Sequence, residues 1–433
     1  MHQKIIKPYL YLGIFMMMIA LMMVLIQEHH LRLIMIMIAG LITFSALVQG
    51  YSAWTSRQKN LCRRSCDVSL MLAICQGLLG FVLVLFISQS WLHLNSIIGL
   101  YQLFFATLST FSLVLIVKDR GKFLAMPFLN ALLHWGFALY SLFGQYKFTF
   151  TKWALSIYLG LLGINYLFDA FHGGYRHLFH YQHRPLRVPL PMILTLLTPY
   201  QLLMKIQKYL ETGRNTELLV KEFIQGQETD VEVLIHTGYS LFDRIGHMDF
   251  AYKGMVYSFG NHDAASRKFF DTVGKGIVLK VPRDQYIKML QRHHVTVISF
   301  GLNLSASQLE SFEEQLRLLV AQTRPVNFTT PQQRQGFIGR LLSQSDAQFF
   351  QFVQGQFQTY FIFGTNCVLF VDYVLWKSGF DLMILSGVMT PGSYYDYFNR
   401  EYQKLDSRVV SRKVYNYELG AYVSHSQSHN HKK

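Results

Sequence analysis

Residues 357–379 read FQTYFIFGTNCVLFVDYVLWKSG. The first part, rich in aromatic and β-branched residues, has the composition of a strand, and Gly364, Thr365 and Asn366 mark a tight turn. An apolar run with helical spacing follows, so a helix is expected to begin close to Cys367. A thiol at a helix N-terminus meets unpaired amides and the positive end of the helix dipole, and both favour the thiolate form. Cys367 is therefore the candidate nucleophile.

A nucleophilic cysteine needs a base within hydrogen-bond reach. Residues 246–260, GHMDFAYKGMVYSFG, read as a β-hairpin turning at Lys253-Gly254, with His247 near the start of its first strand. A sheet packed against the Cys367 helix brings that imidazole to the sulfur, and the Cys367 backbone amide would face the charge developing on an attacked carbonyl. The partner strand offers Ser258 to orient the imidazole, with Asn261 and His262 just beyond. His236, at an earlier strand end, is the substitute base, whereas His293 and His294 fall in a helix-to-strand loop. A single cysteine after a strand is also commonly a small buried hydrophobe, and a strand histidine a hydrogen-bonded core residue. Their joint occurrence is what points to catalysis.

Around these stretches the pattern is α+β. VEVLIHTG, GIVLKVP and VTVISFG read as strands, and SASQLESFEEQLRLLVAQ reads as an amphipathic helix with Ser305 as its N-cap. Short strands broken by helices predict an antiparallel sheet over residues 215–420. A histidine early on a hairpin, followed later by NC at a strand-to-helix turn and an apolar helix, resembles the circularly permuted branch of the NlpC-type, papain-like fold, which includes the lecithin:retinol acyltransferase-like proteins. GVMTPGSYYDYF, residues 387–398, is similar to the PG segment that follows the cysteine helix there. The resemblance covers residues 230–400. It implies Cys367 as nucleophile, His247 as base, and Ser258 at the third position, where acyltransferase-like members carry His and others an acid. An insertion holding the Ser305 helix is implied between the two halves. The chemistry implied is attack on an amide or ester through a cysteine thioester, with no cofactor and no metal.

The first 170 residues have a different character. The chain is 51% hydrophobic and only 15% charged, too apolar for an ordinary soluble enzyme. Runs of about 20 apolar residues can cross a bilayer as helices, and six are expected: 9–26, 31–54, 68–89, 92–117, 123–143 and 152–171. They fall into three hairpins. Basic residues gather on one side, around Lys4, Arg57, Arg63, Lys118, Arg120 and Arg176, against Arg32, Lys147 and Lys152 on the other. By the retention of Lys and Arg on the inner side, both termini and the soluble domain are expected in the cytoplasm. This three-hairpin plan with basic inner loops resembles the HdeD-like family of small membrane proteins over residues 8–172. Gln76, Asn130, His134 and Asp169 are the polar groups in these helices; none marks a clear ion path, Asn130 and His134 suit hydrogen bonds between helices, and Asp169 lies near enough to the interface to reach water.

The expected architecture is thus an all-α six-helix transmembrane bundle (1–172), an interfacial linker (173–214), an α+β papain-like domain (215–420) and a disordered His-rich tail (421–433). The net charge of +15 is largely topological, and no nucleic-acid-binding motif accompanies it. Cys62, Cys66, Cys75 and Cys367 are too scattered for a disulfide framework. The CxxxC of Cys62 and Cys66 lacks a second ligand pair for zinc; His172, His177, His180 and His183 at the junction have no Cys or carboxylate nearby and read as part of an interfacial basic, aromatic collar, and His429 and His431 in the tail read as incidental or as a weak metal binder. The partners expected are the lipid bilayer and a lipid or lipidated-peptide substrate, with the oligomeric state undetermined. Two other classes remain open: a ligand- or partner-binding module without catalysis, and a transport or stress-related membrane protein with a regulatory soluble domain.

Overall fold

The computed structural model describes residues 7–58, scattered positions within 70–81, 91–170 except 122, 123 and 146, and then 186–187, 224–226, 229 and 231–417 apart from short gaps. Cys62, Cys66, Cys75, the junction histidines and the tail lie outside the described residues.

The N-terminal region is helical, with α1 (Lys7–Leu25), α2 (Glu28–Gln58), α3 (Trp91–Lys118), α4 (Ala125–Phe143) and α5 (Lys147–Ala170). The expectation of six spans is corrected here. Among the described residues two helices are long and apolar enough to cross a membrane, Ile98–Lys118 and Phe148–Ala170. The apolar parts of α1 and α2, Tyr9–Leu25 and Ala39–Val48, are shorter, the apolar sequence of the continuous helix α4 is broken by Asn130 and His134, and the expected third span lies largely outside the described residues. Large apolar side chains face outward along these helices, including Leu25, Leu41, Phe44, Leu47 and Phe104. Inside the region two polar pairs meet: His134 Nδ1 lies 2.7 Å from Gln102 Oε1, and Thr151 donates to Asn95.

The C-terminal region is built on an antiparallel sheet. Its elements in chain order are β1 (Leu186–Arg187), β2 (Ile224–Gly226), β3 (Val231–Thr237), β4 (His247–Tyr252), β5 (Met255–Gly260), β6 (Val273–Lys275), β7 (Ile277–Pro282), α6 (Arg283–Arg292), β8 (Thr296–Leu302), α7 (Ala306–Val320), β9 (Thr323–Pro325), α8 (Gly336–Gln344), β10 (Gln348–Phe352), β11 (Thr359–Phe361), α9 (Cys367–Val374), β12 (Met383–Ile384), α10 (Pro391–Tyr402) and β13 (Val409–Tyr415). Among the described residues nine strands form the main sheet in the order β2-β13-β8-β3-β4-β5-β7-β10-β9, and β11 pairs with β6 in a separate ribbon.

Local chemistry explains the pieces that frame the site. The β4–β5 turn has positive φ at both central residues, Lys253 at 47° and Gly254 at 75°. That is the geometry whose twist matches a two-residue hairpin, and glycine adopts it without strain. Ser305 and Gln308 form a reciprocal capping box that opens α7. Strand alternation then divides the sheet into two faces. Met248, Phe250, Phe259 and Phe300 pack under α7, α9 and α10 through Phe312, Phe370 and Phe398. Leu234, Ala251, Val256 and Leu279 pack on the other face against α6 and α8 through Tyr286, Leu290 and Leu341.

The described residues within 1–10, 108–131 and 168–433 form one compact unit, and those within 11–107 and 132–167 form a second. The C-terminal stretches of α3 and α5 therefore belong to the unit that contains the sheet.

Candidate functional site

Cys367 is the first residue of α9. Asn366 caps the helix, with its side-chain oxygen accepting from the Leu369 amide at 3.0 Å and its side-chain amide donating to the Ile362 carbonyl at 2.9 Å. Phe370 N donates to the Asn366 carbonyl at 3.1 Å, so the amides of Cys367 and Val368 are the ones left beside the sulfur at the helix start. The thiol forms no disulfide and is only 4% exposed.

His247 opens β4. Its Nε2 lies 2.9 Å from Ser258 Oγ and 2.8 Å from Asp249 Oδ1. The hydroxyl contact is aligned as a hydrogen bond. The carboxylate contact is short but poorly aligned, which leaves Asp249 Oδ1 without a properly directed donor, so it acts by charge. Asp249 is completely buried. Its Oδ2 accepts from the Tyr286 hydroxyl at 3.0 Å and lies 3.1 Å from His236 Nε2, a contact also short of hydrogen-bond alignment. One buried carboxylate thus sits between two imidazoles carried on neighbouring strands, because β3 and β4 pair with His236 directly opposite His247.

The electrostatics follow from that placement. Burial alone would depress the His247 imidazole, but the Asp249 charge, and then Cys367 through charge and hydrogen bonding, raise its pKa well above the ordinary histidine value. Burial would raise the Asp249 carboxyl, and the charges of His247 and His236 outweigh it and hold the pKa low. His262 behaves oppositely. Burial, helped by the neighbouring His247 charge, pushes it down to about 4, against the pull of Asp249 and a hydrogen bond to the Ser258 backbone. Tyr360 is also close enough to the sulfur for its charge to add to burial in raising the phenol.

The structure brings Cys367, His247 and Ser258 together. Asn261 turns away, its side-chain amide donating to Asp271 O at 3.4 Å and Val273 O at 3.3 Å, and His294 lies against Tyr417. Sequence reasoning missed Asp249, although the signal was there: in His247-Met248-Asp249 the period of two places the carboxylate on the same strand face as the imidazole. It also placed His236 only as a substitute base, where the geometry shows a second imidazole on the same carboxylate. Among the described residues no group of three or more His, Cys, Asp or Glu is arranged to hold a metal ion. No family model, no curated protein and no solved structure matches this chain.

Proposed function

We propose that this chain is a membrane-anchored cysteine hydrolase or acyltransferase that works through a thioester on Cys367. The observation that carries the reading is geometric: His247, 2.9 Å from Ser258 and 2.8 Å from the buried Asp249 carboxylate, opens the strand β4 that packs against α9, whose first residue is Cys367. In such a site the imidazolium, held charged by Asp249, stabilises negative charge on the sulfur. The sulfur attacks an ester or amide carbonyl, and the resulting oxyanion is met by the Cys367 amide at the start of α9. Collapse forms the Cys367 thioester and expels an alcohol or amine, which takes its proton from His247. Water or a second nucleophile, deprotonated by the now neutral imidazole, attacks the thioester and restores the thiol. Ser258 and Asp249 hold the ring through this cycle.

The helical region is proposed as the membrane anchor. The two long apolar helices among its described residues are mostly unburied, with 22% of the Ile98–Lys118 window and 39% of the Phe148–Ala170 window inside the protein. Helices that form the core of a soluble protein are covered, and outward apolar faces of this size need lipid or a partner. Basic residues beside the end of α3, Lys118 and Arg120, suit the cytoplasmic side. Tethering raises the local concentration of substrates held in the same bilayer, so a lipid or lipidated peptide is the proposed substrate class.

The burial of Cys367 favours a second reading, a binding module whose thiol is only a small core residue. One experiment separates them. The intact protein in detergent micelles, with Cys62, Cys66 and Cys75 replaced by Ser, is alkylated with iodoacetamide across pH 5 to 9. The enzyme reading expects rapid neutral-pH labelling that falls at least about tenfold in His247→Ala. Slow labelling that His247→Ala leaves unchanged overturns it and leaves the binding module.

A further inference from the structure

The end of α3 is joined to the loop that carries Cys367. Asp119 follows the last residue of α3 and is buried. Its Oδ2 accepts from the Thr359 amide at 2.9 Å, and its backbone carbonyl accepts from the Gln358 side chain at 3.3 Å. Earlier in the same helix, Phe111 packs edge-on to Phe361, ring centroids 4.9 Å apart. The backbone of the turn also lies against α3, since a Cβ on Gly364 would collide with Ser112 Oγ. These contacts all lie within one compact unit.

From Thr359 the connection continues to the nucleophile through hydrogen bonds. Thr365 Oγ1 donates to the Thr359 carbonyl at 2.6 Å, and Phe361 N donates to the Thr365 carbonyl at 3.1 Å. Asn366 then caps the helix at whose first position Cys367 sits. Thr365 and Asn366 are both buried, so water cannot readily replace a lost partner.

We infer that Asp119 is a positioning residue for Cys367, fixing the strand-to-helix turn on the end of α3 so that the sulfur keeps its reach to His247. The inference rests on the proposed cysteine chemistry and adds to it a dependence of the site on the seat of an apolar helix. Removing the carboxylate strands the Thr359 amide and frees the turn to shift. A displacement of about 1 Å in a reacting group can cost up to about a hundredfold in rate.

The test uses the full chain in micelles, with Cys367 as its one cysteine, and follows iodoacetamide alkylation from pH 5 to 9. Asp119→Ala is expected to slow neutral-pH labelling by about ten- to a hundredfold and to move the pH midpoint of the rate profile upward. Asp119→Asn keeps a side-chain oxygen for the Thr359 amide and should stay within about twofold of the parent. A second pair guards against simple misfolding: Gly364→Ala should wedge the turn from Ser112 and slow labelling, and adding Ser112→Gly should restore part of the rate. Parent-like labelling and pH midpoint in Asp119→Ala overturns the inference, as does equal loss in Asp119→Asn or no rescue by Ser112→Gly. If His247→Ala slows labelling while Asp119→Ala does not, the cysteine chemistry stands and only the positioning role falls. If neither does, the functional reading falls first.

Discussion

Replacing Asp249 by Asn removes the one negative charge buried between His247 and His236 while keeping the side chain's shape. With the carboxylate oxygen 2.8 Å from His247 Nε2, the centres of the two charges are about 4 Å apart, where opposite charges at an effective dielectric of about 20 attract by about 4 kcal/mol. Without that attraction burial is less opposed, so the His247 pKa should fall from its raised value. The assay is an NMR pH titration of the full chain labelled with 15N-histidine, run beside the alkylation profile of Cys367. Stability gives an independent sign. The raised His247 pKa stabilises the fold below the unfolded value of about 6.5, and this is lost as pH rises through the folded pKa; the depressed Asp249 pKa stabilises above about 3.8, and this is lost as pH falls through its folded pKa. Asp249→Asn should remove both effects, costing about 3 to 5 kcal/mol at neutral pH. A His247 titration that does not move downward would refute the claim that this carboxylate holds the imidazolium.

Two further outcomes can be checked by urea unfolding. His262 is neutral in the fold, with its pKa pushed down to about 4, so stability should fall as pH drops from about 6.5 to 4, by up to roughly 3 kcal/mol; His262→Gln should flatten that slope, and an unchanged slope would assign the acid loss to other groups. Phe250 is fully buried and stacks between Tyr257 and Phe370, so Phe250→Ala should cost about 3 to 5 kcal/mol, and a loss under about 1 kcal/mol would mean the two layers are not packed on this ring.

Some of this protein is written locally. The Lys253-Gly254 turn, the Ser305 cap, the strand that opens with His247 and the helix that opens with Cys367 each depend on residues within four or five positions of one another. Turn chemistry, capping and hydrophobic period act over just that range, so they are legible without coordinates. The apolar runs of the N-terminal region are legible too, but hydropathy predicts more spans than the helices support: two among the described residues meet the length and composition of a crossing.

What only the tertiary structure decided is which local pieces meet. Asp249 looks from the sequence like any strand carboxylate. Its burial, and the second imidazole upon it, come from the pairing of β3 with β4, which sets His236 opposite His247, and from α6 delivering Tyr286. Asp119 is more distant still, 240 positions from the Thr359 amide it accepts. Strand register and helix docking are set by the burial of whole faces, a sum over many residues far apart in the chain, and no short stretch carries that sum.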